Sequence, residues 1–397
     1  MNIVKQRILQ HCRINHSEVV AMRRYLHMNP ELAFKENNTA DFICRKLDEY
    51  GIPYQRNIAK TGVVGLITGQ RKDKVIALRA DMDALPITEV NDVPYKSKNE
   101  GVMHACGHDA HTAILLGAAK ILNEMRDHLD GTVKLIFQPS EEAFPGGAKM
   151  MIDEGVLQNP DVSHVIGEHV LPTLDSGKVG FRAGMYMAST DEIYLTVKGR
   201  GGHAATPDLN VDPVLIASHI VVALQQVVSR NAPPWIPSVL SFGRIIGEGR
   251  TNVIPNVVTL DGTFRTFNEE WRKEAHEHIK RIAAGTAKAM GGECEVRIAH
   301  GYPFVVNDSS LTERLKRYAK EYLGERKVVD LDMRMTAEDF AYYSHAVPSV
   351  FYRLGTKTRG KPVTNLHTPD FDIDEDALYK GMGLMAHIAY RQLEEMI

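Results

Sequence analysis

Three histidines and one cysteine stand within eight residues in the run His104-Ala105-Cys106-Gly107-His108-Asp109-Ala110-His111. Imidazole and thiolate are the ligands that zinc and its transition-metal neighbours take, and an acid as near as Asp109 could hold an imidazole in the tautomer a metal needs. By itself the run also fits one buried cysteine and three surface histidines. Ser140-Glu141-Glu142-Ala143-Phe144-Pro145-Gly146-Gly147 sets two acids side by side before a Pro-Gly-Gly turn. Adjacent carboxylates in extended chain point in different directions, so one could bind a metal while the other meets a metal-bound water as general base. A solvated acidic loop is the plainer reading. His169 follows an apolar stretch and His367 sits in Leu366-His367-Thr368-Pro369; alone, each reads as a structural histidine. Together, Cys, His, Glu, His and His exceed what one tetrahedral ion takes. They fit a two-metal hydrolytic site with a thiolate or a water between the ions.

These residues need a scaffold that brings them to one place. Up to about residue 185 the pattern alternates helix and strand. A helical stretch covers Asn38 to Tyr50 and stops at Gly51, short apolar strands follow at Val75-Ile76-Ala77-Leu78, 133–137 and Val165-Ile166, and a helix covers 110–125. This is an α/β layer with a mainly parallel mixed sheet and flanking helices. Each strand runs into polar residues: Asp81 and Asp83, then Glu141 and Glu142, then Glu168 and His169. Ligands gather beyond the carboxyl ends of such strands, so the three exits form one candidate site.

From 188 to 299 the texture changes to β-α-β-β-α-β, with strict alternation at Glu192 to Lys198, a helix from Asp212, strands around 239–246 and 257–265, a helix over 268–290 and a strand at 294–298. That is the ferredoxin-like split order, expected here as a domain inserted into a catalytic domain made of 1–187 and 300–397. His276 and His278, on its charged helix, read as solvated.

The chain has 397 residues, 44% hydrophobic and 24% charged, which excludes a largely disordered or fibrous protein. Lys+Arg of 47 against Asp+Glu of 50 leaves a net charge of -3, without the basic field that non-specific nucleic-acid binding needs. The N-terminal residues interrupt every apolar run with Lys, Arg, Gln or His, unlike a signal peptide, and the most apolar stretch, Val214 to Leu224, is about half the ~20 residues of a membrane span. No membrane segment is expected. The four cysteines, Cys12, Cys44, Cys106 and Cys294, are scattered, which argues for a reducing compartment and a cytoplasmic setting. Neither a phosphate-binding GxxxxGK[ST] loop nor a dinucleotide-binding GxGxxG motif is present.

Across nearly its whole length the chain resembles the M20 metallopeptidase and amidohydrolase family, in the branch of hippurate hydrolases and auxin-conjugate hydrolases. The landmarks are Arg23-Arg24-Tyr25-Leu26-His27 with Pro30-Glu31-Leu32, Arg79-Ala80-Asp81-Met82-Asp83-Ala84-Leu85-Pro86, the His104 to His111 run, Gln138-Pro139-Ser140-Glu141-Glu142, Gly202-His203-Ala204-Ala205, Thr251-Asn252-Val253-Ile254-Pro255 and Ala337-Glu338-Asp339-Phe340. The resemblance implies two divalent metal ions held by Cys106, His108, Glu142, His169 and His367, with Glu141 as general base and Asp83 as a supporting acid. It implies that the inserted domain mediates a homodimer, that His203 from the partner subunit binds the substrate carbonyl, and that Asn252 and Arg265 lie near the substrate carboxylate. Asp208, where the branch usually has His, and Glu168, where an apolar residue is usual, depart from the pattern.

The activity this implies is hydrolysis of the amide bond of N-acyl amino acids of acetyl, benzoyl or aryl-acyl type, with zinc, manganese, cobalt or nickel as the metal. One alternative is a dipeptidase or carboxypeptidase built on the same metal pair. A metal-binding scaffold without catalysis is the alternative from another class, which a missing ligand or a missing Glu141 would have favoured.

Overall fold

The N-terminal helix, Ile3–Met28, went unread in the sequence; its buried residues Ile8, Cys12, Asn15, Val19, Met22 and Leu26 recur every three or four positions. The polar residues that interrupt each apolar run there are the wet face of that helix. The structure is a computed structural model that describes residues 3–360 and 362–396. They gather into two compact units, Met1–Tyr186 with Val305–Asp332 and Asp339–Ile397, and Met187–Phe304 with Met333–Glu338.

The first unit is built on an eight-stranded sheet in the order Tyr54–Ile58, Gly62–Thr68, Thr132–Gln138, Val75–Asp81, His164–Asp175, Ser349–Lys357, Val179–Phe181, Val328–Asp330. Its middle is parallel: Val75–Asp81 runs alongside both Thr132–Gln138 and His164–Asp175, and Ser349–Lys357 continues the parallel set. The Gly62–Thr68 and Val179–Phe181 strands are antiparallel to their inner neighbours, so the sheet is mixed. Val75–Asp81 and Thr132–Gln138 are buried at every position, so their apolar residues do not alternate with exposed ones, and the polar side chains they carry, among them Arg79, Asp81, Lys134 and Gln138, are buried too. Ile3–Met28, His108–Glu124 and Asp376–Glu395 contribute Leu26, Leu115 and Leu384 to the same core. Expected helix and strand positions agree with the structure to within a few residues. One placement differs in kind. His169 is not in a loop beyond a strand but within the twelve-residue strand His164–Asp175, because pairing with Ser349–Lys357 carries on through Arg353 opposite His169 to Gly355 opposite Leu171.

In the second unit four antiparallel strands lie in the order Ser238–Ile246, Val257–Thr266, Asp191–Lys198, Glu293–His300. The helices Pro213–Gln226 and Glu269–Ala289 supply Ile216, Ile220, Trp271, Ala275 and Ile279 to its core. The segment Met333–Glu338 belongs here because the Ala188 N–H donates to the carbonyls of Arg334 and Thr336 at 3.0 and 3.1 Å. The apolar stretch is longer than the sequence suggested: helix runs on to Asn231, and Pro213–Asn231 is long and apolar enough by composition to cross a membrane, with a third of it buried. His276 is a correction. It is buried, with Nε2 2.7 Å from Asp191, which also accepts from the Arg272 guanidinium and the Gly301 N–H. The charged helix Glu269–Ala289 turns that residue onto its inner face, one position after Ala275. His278 is half-buried, 2.7 Å from Arg281.

Candidate metal centre

The parallel middle of the first sheet delivers two chain exits to one end, beside His169 within the strand His164–Asp175. Asp83 follows the strand ending at Asp81, and Glu141 and Glu142 follow the strand ending at Gln138. Between them Cys106 and His108 flank Gly107, whose φ of +85° is open to glycine and which precedes the first turn of the helix His108–Glu124. A Cβ at Gly107 would also come within 2.6 Å of the Val170 side chain.

Cys106 Sγ lies 3.4 Å from His169 Nε2 and 3.4 Å from His367 Nε2, and His367 Nε2 lies 3.0 Å from a Glu142 oxygen. The potential ligand atoms of Cys106, His108 and His169 all fall within 4.8 Å of one another, as do those of Cys106, Glu142 and His367, and those of His108, Glu141 and Glu142. Cys106 belongs to two of these groups. His108 and Glu142 each belong to two as well, so the three groups form one continuous cluster. His367 is held at a φ of +61° in an otherwise irregular loop, with its N–H donating to the Ala105 carbonyl at 2.8 Å.

The donor set fits cations. His169 Nδ1 donates to the Val170 carbonyl at 2.8 Å and His108 Nδ1 donates to the Asp83 carbonyl at 2.9 Å, with the Asp83 carboxylate 3.2 Å away. In the neutral ring each bond leaves the lone pair on Nε2, which is the tautomer a metal takes. His108 Nε2 is buried and has no hydrogen-bond partner. Burial pushes the Cys106 thiol well above its usual range, and the Glu142 and Glu141 carboxylates push it further, so a thiolate there calls for a positive neighbour. His108 is raised as well, but by its neighbours and against burial. Burial lowers its imidazole, but Asp81 and Asp83 outweigh burial and hold it up at about 10.

His111, third histidine of the run, is not free to ligate. Its Nδ1 is 2.6 Å from Asp81 and its Nε2 accepts the Val170 N–H at 2.9 Å, so both ring nitrogens are in use. Asp109, expected to orient a ligand imidazole, instead accepts from Arg23 Nε at 2.8 Å and meets His27 Nδ1 at 2.7 Å. Helical rotation of about 100° per residue carries it away from His108 toward the N-terminal helix. Asp83 takes the role instead. Besides facing His108, its carboxylate accepts the backbone N–H groups of Glu141 at 3.0 Å and Glu142 at 2.9 Å. Glu141 is nearly buried, and one of its oxygens accepts the Asp339 N–H at 3.3 Å.

Behind these groups lies a buried polar set to which the sequence reading assigned no role. Arg79 donates to Asp81 at 2.6 Å, to Asp339 at 2.9 Å and to Gln138 at 2.9 Å, and Gln138 Nε2 donates to Asp339 at 2.8 Å. Arg79 and Asp81 are two apart on one strand and so share a face, a signal visible in the sequence had charge in an apolar strand been followed. Glu168 faces away from His169 by the same alternation. Burial pushes its carboxyl up to about 8 against the hydrogen bond it accepts from Tyr352 at 2.9 Å.

The remaining expected residues lie in the second unit. His203 is exposed on a short strand, Gly202–His203, paired with Val253–Ile254, and the Asn252 carbonyl accepts the Ala204 N–H at 3.1 Å, so His203 and Asn252 are neighbours. Arg265 is half-buried on the strand Val257–Thr266, donating to the Thr263 hydroxyl and to the Phe264 carbonyl.

Residues 77–391 match the family described as Peptidase family M20/M25/M40. The chain belongs to this family. It is a hydrolase of the M20 metal-dependent amidohydrolase and peptidase group. Among its relatives, N-acetyl-L-cysteine deacetylase of Bacillus subtilis is 40% identical over 95% of this chain and 88% of its own. IAA-amino acid hydrolase ILR1-like 4 of Arabidopsis thaliana is 39% identical over 95% of this chain and 86% of its own. The crystal structure of the Bacillus subtilis YXEP protein, described as a dinuclear metal binding peptidase from the M20 family, superposes with a TM-score of 0.83 at 36% identity, covering 97% of this chain and 100% of that one.

Proposed function

We propose that this M20 hydrolase cleaves the amide bond between an acyl group and an amino acid, with acetyl, benzoyl or aryl-acyl groups on the nitrogen. The observation that carries the reading is the sharing of Cys106 between the His108–His169 group and the Glu142–His367 group, with Glu141 beside them. Cys106, His108, Glu142, His169 and His367 would hold two divalent ions, of zinc, manganese, cobalt or nickel. When bound, such ions polarise a carbonyl and make water acidic enough to attack it near neutral pH.

The protein's own groups then have separable tasks. Glu141 takes the proton of the attacking water and delivers it to the leaving amine, a single carboxylate serving as base and then as acid. Asp83 fixes the His108 tautomer and the two amides of the Glu141–Glu142 pair together, so ligand and base move as one body. The Asp339 N–H, donating to one Glu141 oxygen, helps to orient that carboxylate. His203 supplies a donor to the developing oxyanion, and Asn252 and Arg265 receive the carboxylate of the amino acid, Arg by its planar fork.

A homodimer through the second unit completes this reading. Its sheet ends on two open edge strands, and Ile245 on one of them, with Val214, Leu215 and Val222 on the neighbouring helix, are exposed apolar side chains that pairing would cover. His203 would then act on the partner's substrate. Among the described residues no cysteine is in a disulfide, which suits a reducing cytoplasm.

The test is turnover of N-acetyl, N-benzoyl and indole-acyl amino acids beside dipeptides, on apoprotein reloaded with each metal. Preference for the acyl amino acids supports the reading, preference for dipeptides replaces it with a dipeptidase, and no turnover with any metal leaves a metal-binding protein without this chemistry.

A further inference from the structure

Glu36 occupies the N-cap position of the helix Asn37–Tyr50, yet its side chain makes no capping bond there. A wholly buried carboxylate that ignores its own helix is occupied elsewhere. One oxygen accepts the backbone N–H of Ser140 at 2.9 Å, and the other accepts the Thr61 hydroxyl at 2.7 Å. Ser140 is buried and stands at a φ of +51°, a left-handed conformation that a non-glycine residue keeps only when its surroundings enforce it. Its carbonyl accepts the Gly147 N–H at 2.8 Å and its hydroxyl donates to the Ala143 carbonyl at 3.1 Å, so the turn is closed on itself beyond Glu142.

The next two amides, of Glu141 and Glu142, go to Asp83. Three consecutive N–H groups are thus gripped by two buried carboxylates. The first of the three decides the direction of the others, because the sign of φ at Ser140 sets how the chain leaves the strand ending at Gln138. Without an acceptor, the buried Ser140 N–H would be unsatisfied, and the segment would relax toward an ordinary backbone conformation.

We infer that Glu36 is a positioning residue for the reaction: its carboxylate holds Ser140 in the left-handed turn from which Glu141 and Glu142 are presented. The inference rests on the reading of Glu141 as base and Glu142 as ligand. What Glu36 contributes is an acceptor at the right reach rather than a charge. Burial pushes its carboxyl up to about 7 against the Thr61 hydrogen bond, so near neutral pH the charged form is not required.

Two variants separate reach from charge. Glu36→Gln keeps the acceptor where it is, with the Thr61 hydroxyl turning to accept from the amide; Glu36→Asp keeps the charge but is shorter by one methylene and falls short of Ser140. Glu36→Asp should lower kcat by about 10²-fold with KM within about threefold and the metal content unchanged, the size of loss expected when a reacting group is misplaced by about 1 Å. Glu36→Gln should stay within about fivefold of the unmodified protein. Adding Ser140→Gly to Glu36→Asp should restore kcat by about fivefold or more, because glycine adopts a positive φ without help. A Glu36→Asp variant within about twofold of normal kcat overturns the inference. So does an equal fall in both Glu36 variants that Ser140→Gly does not relieve, which is what a purely structural carboxyl would give. Glu141→Gln is assayed alongside: normal turnover there overturns the reading of Glu141 itself, whereas an inactive Glu141→Gln beside a fully active Glu36→Asp overturns only the role of Glu36.

Discussion

Asp83 accepts the backbone N–H of Glu142 at 2.9 Å across 59 residues of sequence. The same carboxylate faces His108 Nδ1 at 3.2 Å, so a candidate metal-binding carboxylate and a candidate metal-binding imidazole are registered on one buried group. Asp83→Asn keeps the volume but can no longer accept on both atoms, leaving one amide of the pair opposite an NH₂ group. Metal affinity or kcat/KM should fall about 10- to 100-fold, as for other groups that orient metal ligands, read by metal titration and by turnover. Unchanged metal binding and turnover would reduce Asp83 to packing.

Glu141→Gln should retain the same number of ions per chain and lose turnover by about 10²-fold or more, since the amide keeps shape and removes the basic oxygen. Metal analysis of the variant beside its kcat checks both halves. Turnover near normal is incompatible with Glu141 as the base.

Cys106→Ser should make activity depend on added metal, because a hydroxyl is a far poorer ligand than a thiolate. Dialysis against a chelator followed by metal analysis measures it. With the sulfur shared between two groups, both ions should be lost more easily, and selective loss of one would place Cys106 at a single ion.

Acid should destabilise the first unit in part through His387. This side chain is buried against Tyr322, and burial, with Arg391 and Lys5 adding repulsion, lowers its imidazole to about 4 even with Glu321 3.8 Å away. In the unfolded chain it takes a proton near pH 6.5, so unfolding binds protons as pH falls below that value. The stability contributed by keeping it neutral is complete above about pH 6.5 and is lost between there and about pH 4, on the order of 3 kcal/mol at most. Urea unfolding of His387→Phe across pH 4 to 7 should show a shallower acid slope than the unmodified protein. An identical slope would assign the acid sensitivity to other groups.

Mixing inactive Glu141→Gln with inactive His203→Ala should restore a measurable part of the activity if His203 acts on the partner's substrate, because one site in each heterodimer then keeps both residues. Subunit exchange is followed in parallel with a tagged chain. Demonstrated exchange without recovered activity would place His203 in its own chain's site or outside catalysis.

Which residue types could carry a metal pair was determined by the sequence alone, as were the strands and helices that bring them in. The apolar residues 75–78 and the mostly apolar 133–137 mark two central strands, the Asp212–Pro213 helix start is written in local capping chemistry, and the five ligand-type residues are visible as a set. Which of the three clustered histidines keeps a free lone pair was not. That depends on the partners of the other nitrogen, and those partners, Asp81 and Val170 for His111 but Asp83 for His108, are 25 to 59 residues distant. The same reason hid the pairing of Asp109 with Arg23 and His27, the burial of His276 on Asp191, and the hold of Glu36 on Ser140. A side chain's propensity is set by its own neighbours in the chain, but a buried polar atom must be satisfied by whatever group the packed sheet and helices bring within about 3 Å of it, and only the tertiary structure decides which group that is.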